Sequence, residues 1–127
     1  MSYNVLVVDD SKTARMMLVK TLRVSGLKIN EVFTAENGAH ALEMLRENWI
    51  DLVITDLHMP VMSGMEMVEK MAADGLLSTL PVIVISSDAS QQRIDELHGH
   101  GIRDYLCKPV RPERVKEVVE SILEAAP

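Results

Sequence analysis

The chain has 127 residues, 47% of them hydrophobic and 25% charged, which is typical of one globular domain and excludes disordered, collagen-like and coiled-coil chains. Thirteen basic and nineteen acidic side chains give a net charge of −6, which argues against binding to nucleic acid or to an anionic membrane. The single Cys107 cannot form an intramolecular disulfide, and no apolar run is long enough for a membrane span or a signal peptide. We therefore expect a monomeric, cytoplasmic protein consisting of one domain, residues 1–127.

The first half of the chain alternates strand patterns with helix patterns. The apolar run Val5–Val8 predicts a strand buried on both faces, and apolar residues at helical spacing then predict a helix ending near Gly26. The segment Glu31–Ala35 alternates polar and apolar residues, which favours a strand at a sheet edge. A second helix is expected to start around Asn37, and Leu52–Ile54 is again typical of a buried strand.

The second half repeats this alternation and contains one helix with few apolar anchors. The segment Ser90–Gly99 offers only Ile94 and Leu97 as anchors, so it predicts a weakly held helix. The last helix is expected to begin at Pro112, a residue suited to a first helical position. The other expected elements are a helix between Gly64 and Gly75, a loop over Asp74–Thr79, a buried strand over Val82–Ile85 and a short strand over Asp104–Cys107. This order predicts an α/β fold, a single doubly wound parallel sheet of five strands joined by right-handed crossovers.

Polar residues follow four of the expected strands. Asp9 and Asp10 come after the first strand, Asp56 after the third, Ser86 after the fourth and Lys108 after the fifth. Ligands of open α/β sheets bind at the carboxyl ends of the strands, so we expect these side chains to share one rim. Each of them alone has a simpler explanation as a helix cap, a loop contact or a solvated charge. Capping does not explain three carboxylates beside a lysine.

The chemistry of this rim points to phosphoryl transfer. Like charges about 4 Å apart repel by roughly 4 kcal/mol at an effective dielectric near 20, so three carboxylates call for a cation among them. Oxygen ligands without a thiolate or imidazole array favour Mg²⁺. A carboxylate held ionised there can act as a nucleophile, while a lysine and a hydroxyl can bind the oxygens of a transferred phosphoryl group.

Four segments resemble the successive signatures of response-regulator receiver domains: VLVVDDS, DLVITDLHMPVMSG, VIVISS and GIRDYLCKP. The match runs from about Asn4 to the end of the chain, and the architecture is similar to that of CheY-like stand-alone receivers. The resemblance implies a flavodoxin-like sheet with strand order 2-1-3-4-5. It also implies a phosphorylation-activated switch of a two-component system, which takes phosphate from a histidine kinase and loses it by hydrolysis. Such a protein takes part in its own phosphotransfer and is not otherwise an enzyme.

Site residues carry over from this resemblance by position. Asp56 matches the phosphorylated aspartate, and Asp9 and Asp10 match the acidic pair that helps to hold Mg²⁺. His58 matches the position whose backbone carbonyl completes the metal site together with Asp56.

The resemblance also implies a set of switch residues. Ser86 and Lys108 match the residues that contact the phosphoryl group, and the Lys108–Pro109 peptide bond matches one that is cis in receivers. Tyr105 matches the aromatic residue that changes rotamer on activation. We expect a downstream protein to bind the face formed by Ser90–Gly99, Tyr105 and the C-terminal helix.

Other functions remain open at this point. A Mg²⁺-dependent phosphatase or phosphotransferase of the haloacid-dehalogenase type also uses a nucleophilic aspartate, but it needs a second aspartate where His58 stands. A phosphorelay intermediate would use the same residues without a direct output. A flavin or dinucleotide binder is disfavoured, because no glycine-rich stretch follows the first strand. A receiver that no longer accepts phosphate is disfavoured because all the motif residues are present.

Two residues outside the motifs are expected to have structural roles. Cys107 lies in the last predicted strand, where we expect a buried thiol. Trp49 follows the second predicted helix, and we expect it to pack against the core.

Overall fold

A computed structural model describes residues 2–124, so Met1 and residues 125–127 of the expected domain lie outside the described part of the chain. Five parallel strands form one sheet in the order β2-β1-β3-β4-β5. The expected α/β class, the doubly wound sheet and its strand order are all confirmed. Among residues 2–124, no helix combines the length and apolar character that crossing a membrane requires.

Strands and helices alternate along the whole described chain, as the sequence predicts. The strands are β1 (Tyr3–Val8), β2 (Ile29–Ala35), β3 (Leu52–Thr55), β4 (Val82–Ser86) and β5 (Asp104–Cys107). The helices are α1 (Lys12–Arg23), α2 (Gly38–Glu47), α3 (Gly64–Ala73), α4 (Gln91–His100) and α5 (Pro112–Leu123).

Local capping chemistry explains where the helices begin. A side-chain oxygen before each of the first four helices accepts a hydrogen bond from a backbone N–H of the first turn, which satisfies a donor that the helix itself leaves unpaired. The capping residues are Ser11, Asn37, Ser63 and Ser90. The fifth helix instead starts with Pro112, whose missing N–H costs nothing at that position. Because all five strands are parallel, the loops that lead into these helices lie at one edge of the sheet.

The core consists of two apolar layers, one on each face of the sheet. Leu6 and Val8 of β1 belong to one layer, and Val5 and Val7 belong to the other, since successive side chains of a strand point to opposite faces. All four side chains are at most 1% exposed. Burial on both faces anchors the central strands, so the residues at their carboxyl ends are held by a rigid support.

Three local expectations are wrong. The loop over Asp74–Thr79 contains a short 3₁₀ helix, Leu76–Ser78. Cys107 is exposed. It is the last residue of the edge strand β5, and its side chain points to the face opposite that of the buried Leu106. Trp49 is 78% exposed, and its indole N–H donates to the Asp51 carboxylate at 3.0 Å, which holds the ring at the surface.

Candidate functional site

Three carboxylates meet at the carboxyl ends of β1 and β3. Asp9, Asp10 and Asp56 each offer an oxygen, and these three oxygens lie within 4.8 Å of one another. The reason lies in the register of the sheet, since Val8 of β1 pairs with Thr55 of β3 and the next residue of each strand is an aspartate. The structure thus brings together the acidic residues that the sequence placed at this rim.

Asp56 is oriented from two sides and stays accessible. The N–H of Leu57 donates to its Oδ1 at 2.7 Å, and Lys108 Nζ lies 3.2 Å from its Oδ2. Its side chain is 15% exposed, so a reactant can reach it. Gly64 packs so closely behind the loop that a Cβ there would lie 2.1 Å from the Asp56 carbonyl oxygen. The carboxylate is therefore held in one orientation by backbone and lysine contacts.

Asp9 is the buried member of the acidic group, at 3% exposure. The N–H of Ser11 donates to its Oδ1 at 2.9 Å, and Lys108 Nζ lies 3.5 Å from its Oδ2. Burial raises the pKa of Asp9 above its ordinary value; Ser11 and Lys108 oppose this rise, and the charge of Asp56 adds to it. The charged form of Asp9 is thus less favourable here than that of an exposed aspartate.

Lys108 is the cation of this group. It follows β5 and precedes Pro109, and the peptide bond between them is cis, as the resemblance implies. Burial lowers the pKa of Lys108, but the carboxylates of Asp56 and Asp9 outweigh that effect and the pKa lies above its ordinary value. The ammonium is therefore charged, and it bridges the two carboxylates.

A cavity of about 540 Å³ opens beside the acidic group. Asp9, Asp56 and Lys108 line it together with apolar residues of α1 and α5, among them Met17 and Val115. The acidic group and Lys108 therefore border a largely apolar space between α1 and α5.

Ser86 and Tyr105 contact the same loop, the one between β4 and α4. Ser86 is fully buried, and its Oγ accepts a hydrogen bond from the N–H of Asp88 at 3.1 Å. The hydroxyl of Tyr105 donates to the backbone carbonyl of Asp88, and its ring packs against the core. Pairing of Val84 with Tyr105 in the sheet brings the two residues to adjacent strands. Whether the ring of Tyr105 turns on activation remains a prediction.

The contacts of Asp88 were not predicted from the sequence. Its Oδ2 lies 3.0 Å from Nε2 of His58 and 3.1 Å from Nε of Arg93. The N–H of Ser90 and the imidazole of His58 hold the pKa of Asp88 below its usual range. His58 was predicted to act only through its backbone carbonyl, so the contact of its side chain with Asp88 is an additional finding. An aspartate two residues before a helix cap is a weak signal, because the contact partners come from other elements.

Comparison with known proteins shows the same family throughout. The family profile described as "Response regulator receiver domain" matches residues 5–120. The chain is similar to chemotaxis protein CheY-3 of Vibrio cholerae, with 35% identity over 94% of this chain and 91% of the relative. It is also similar to chemotaxis protein CheY1 of Helicobacter pylori, with 36% identity over 93% and 94% of the two chains.

A solved structure extends the similarity to three dimensions. In the crystal structure of the CheX–CheY–BeF₃–Mg complex from Borrelia burgdorferi, the matching chain is 28% identical and superposes with a TM-score of 0.83. The match covers 94% of this chain and 88% of that one. Because the profile and the relatives cover nearly the whole sequence, this chain belongs to the family of response-regulator receiver domains.

Proposed function

We propose that this protein is a phosphorylation-activated switch of a two-component signalling system. Asp56 accepts a phosphoryl group from a histidine kinase, and the phosphorylated form changes its affinity for a downstream protein. The observation that carries the proposal is the setting of Asp56, whose carboxylate is oriented by the Leu57 N–H and by Lys108 and lies beside two further carboxylates.

The acidic group fits a magnesium ion. Its donors are all carboxylate oxygens, which Mg²⁺ prefers. Burial raises the pKa of Asp9, and a bound cation would favour the charged form of this carboxylate. By the family resemblance, Asp9, Asp10, Asp56 and the backbone carbonyl of His58 would hold the ion. When bound, Mg²⁺ would neutralise charge on the phosphoryl oxygens. The Borrelia burgdorferi relative, which was solved with Mg and BeF₃, supports this assignment.

The residues of the chain then have distinct tasks in the transfer. An oxygen of Asp56 attacks the phosphorus of a phosphohistidine, an O–P bond forms, and the P–N bond breaks with its electron pair left on the imidazole. The Lys108 ammonium and the Ser86 hydroxyl donate hydrogen bonds to the phosphoryl oxygens. Later attack of water on the phosphorus releases inorganic phosphate and restores the Asp56 carboxylate. Apart from this self-directed chemistry, the protein acts by binding.

The output surface is the face formed by α4, Tyr105 and α5. Ser86 and Tyr105 connect the phosphorylation site to the β4–α4 loop, and α4 is held to the core chiefly by Leu97. A partner that prefers one position of this face would respond to phosphorylation. The similarity to chemotaxis proteins supports a protein target in chemotaxis signalling. We further propose that residues 1–127 form one receiver domain and that the protein acts in the cytoplasm as a monomer.

Intact-mass analysis with acetyl phosphate and Mg²⁺ tests this proposal. The wild-type chain should gain the mass of one phosphoryl group, and Asp56→Asn should gain none. Asp74→Asn is the matched control, since it removes an exposed carboxylate at the end of α3 that lies outside the acidic group. Full modification of Asp56→Asn would contradict the proposal, and so would uptake that persists when a chelator removes Mg²⁺.

A further inference from the structure

Asp88, in the loop between β4 and α4, contacts four parts of the molecule. Its N–H donates to Ser86 Oγ at 3.1 Å, and its carbonyl accepts a hydrogen bond from the Tyr105 hydroxyl. Its carboxylate lies 3.0 Å from His58 in the β3–α3 loop and 3.1 Å from Arg93 of α4. The end of β4, the side chain of Tyr105 in β5, the loop after Asp56 and the first turn of α4 are therefore joined through one residue.

The first turn of α4 has few other attachments. Leu97 is the buried residue of this helix, and it lies in its second half. The Oδ1 of Asp88 accepts a hydrogen bond from the N–H of Ser90 at 3.0 Å, and a negative charge next to a helix N-terminus is favourable. The Asp88 side chain is only 18% exposed, so its contact with Arg93 is partly shielded from water. The position of the helix start therefore depends on Asp88.

Two routes lead from Asp56 to this residue. One runs through His58, which lies two residues beyond Asp56 in the same loop and contacts the Asp88 carboxylate. The other runs through Ser86, the proposed partner of the phosphoryl group, whose Oγ already accepts the Asp88 N–H. A phosphoryl group on Asp56 would therefore lie close to both contact partners of Asp88, His58 and Ser86.

We propose that Asp88 is the positioning residue that couples phosphorylation of Asp56 to the movement of α4. Displacement of Ser86 and of the His58 loop moves Asp88. Because Asp88 contacts Arg93, the first turn of α4 moves with it. This inference rests on the proposed function and names the residue through which the site reaches its output surface. Asp88 touches neither the metal nor the phosphoryl group in this role.

NMR of the beryllofluoride adduct tests the coupling, because it compares free and adduct-bound forms of each variant. In the wild-type chain, adduct formation with Mg²⁺ should shift the amide signals of Ser86 and of Gln91–His100. In Arg93→Gln the shifts at Ser86 should persist. The adduct-induced shift changes of the α4 amides should fall about threefold. Loss of a partly exposed ion pair changes the populations of the two helix positions by about this factor. Asp88→Ala should lower the shift changes of α4 in the same way. Arg93→Lys, which keeps a positive charge beside Asp88, should show the shift changes of the wild-type chain.

Asp95→Ala is the matched control on the same helix. Asp95 is exposed and accepts a hydrogen bond from the Gln91 side chain at 2.8 Å, away from the Asp88 contacts, so its removal should leave the α4 response as in wild type. A full α4 response in both Arg93→Gln and Asp88→Ala would overturn the inference and leave Asp88 as a residue that only stabilises its loop. Failure of the wild-type chain to form the adduct would instead overturn the proposed function, and the inference with it.

Discussion

Replacement of Asp9 by asparagine should stabilise the fold while it weakens the site. Asp9 is 3% exposed, and burial of an ionised carboxylate costs several kcal/mol. At an effective dielectric near 20, attraction by the Lys108 ammonium at 3.5 Å stabilises the Asp9 carboxylate by about 4.7 kcal/mol, whereas repulsion by the Asp56 carboxylate within 4.8 Å costs at least about 3.5 kcal/mol. The attraction exceeds the repulsion by at most about 1 kcal/mol, so most of the burial cost remains.

Asparagine keeps the shape of the side chain and an oxygen that can accept the Ser11 N–H. We therefore expect Asp9→Asn to raise the free energy of unfolding by about 1–2 kcal/mol at pH 7 in the presence of a chelator. The stability gained by Asp9→Asn should increase as pH rises. Because folding raises the pKa of Asp9, the cost of its charge is absent below the ordinary value of 3.8 and grows as pH rises through the higher pKa of the folded state.

Urea unfolding followed by circular dichroism measures this difference, with exposed Asp74→Asn as the control that should change little. Mg²⁺ at about 100 times its dissociation constant should raise the free energy of unfolding of the wild-type chain by about 2.7 kcal/mol and that of Asp9→Asn by much less. With Mg²⁺ the wild-type chain should therefore be the more stable of the two. If Asp9→Asn unfolds at a lower urea concentration than wild type in chelator, the attraction of Lys108 outweighs burial and the reasoning is refuted.

Three further substitutions, one of them paired with a control substitution, test other parts of the structure. Lys108→Ala should still accept some phosphoryl group from acetyl phosphate but lose the adduct-induced NMR shifts at Tyr105; unchanged shifts would make the lysine a surface charge. Gly64→Ala should cost more than about 2 kcal/mol in urea unfolding, since its Cβ would meet the Asp56 carbonyl at 2.1 Å, whereas Gly99→Ala, with nothing within 4 Å, should be neutral or stabilising. Val61→Asn should raise the free energy of unfolding by about 1 kcal/mol, because a β-branched residue is strained at φ 68° and its side chain is 83% exposed; no gain would show that the loop tolerates valine without strain.

Local patterns in the sequence were sufficient to predict the order and type of the elements. Runs such as Val5–Val8 and Val82–Ile85 are apolar because both faces of the central strands are covered, and Glu31–Ala35 alternates because it lies at an edge. Asp56 and Lys108 could be placed at one rim because parallel strands end at the same edge of a sheet. Their side chains do meet there, with Lys108 Nζ 3.2 Å from Asp56.

Features that depend on contacts between distant segments could not be read from those patterns. Strand order followed only from the family resemblance, since periodicity shows which face of an element is apolar and not which neighbour covers it. The exposure of Cys107 depends on its position in an edge strand, and the contacts of Asp88 with His58 and Arg93 require three elements to be in place. Hydrophobic periodicity is a property of neighbours in sequence, whereas exposure and ion pairing depend on neighbours in space, which only the packed tertiary structure determines.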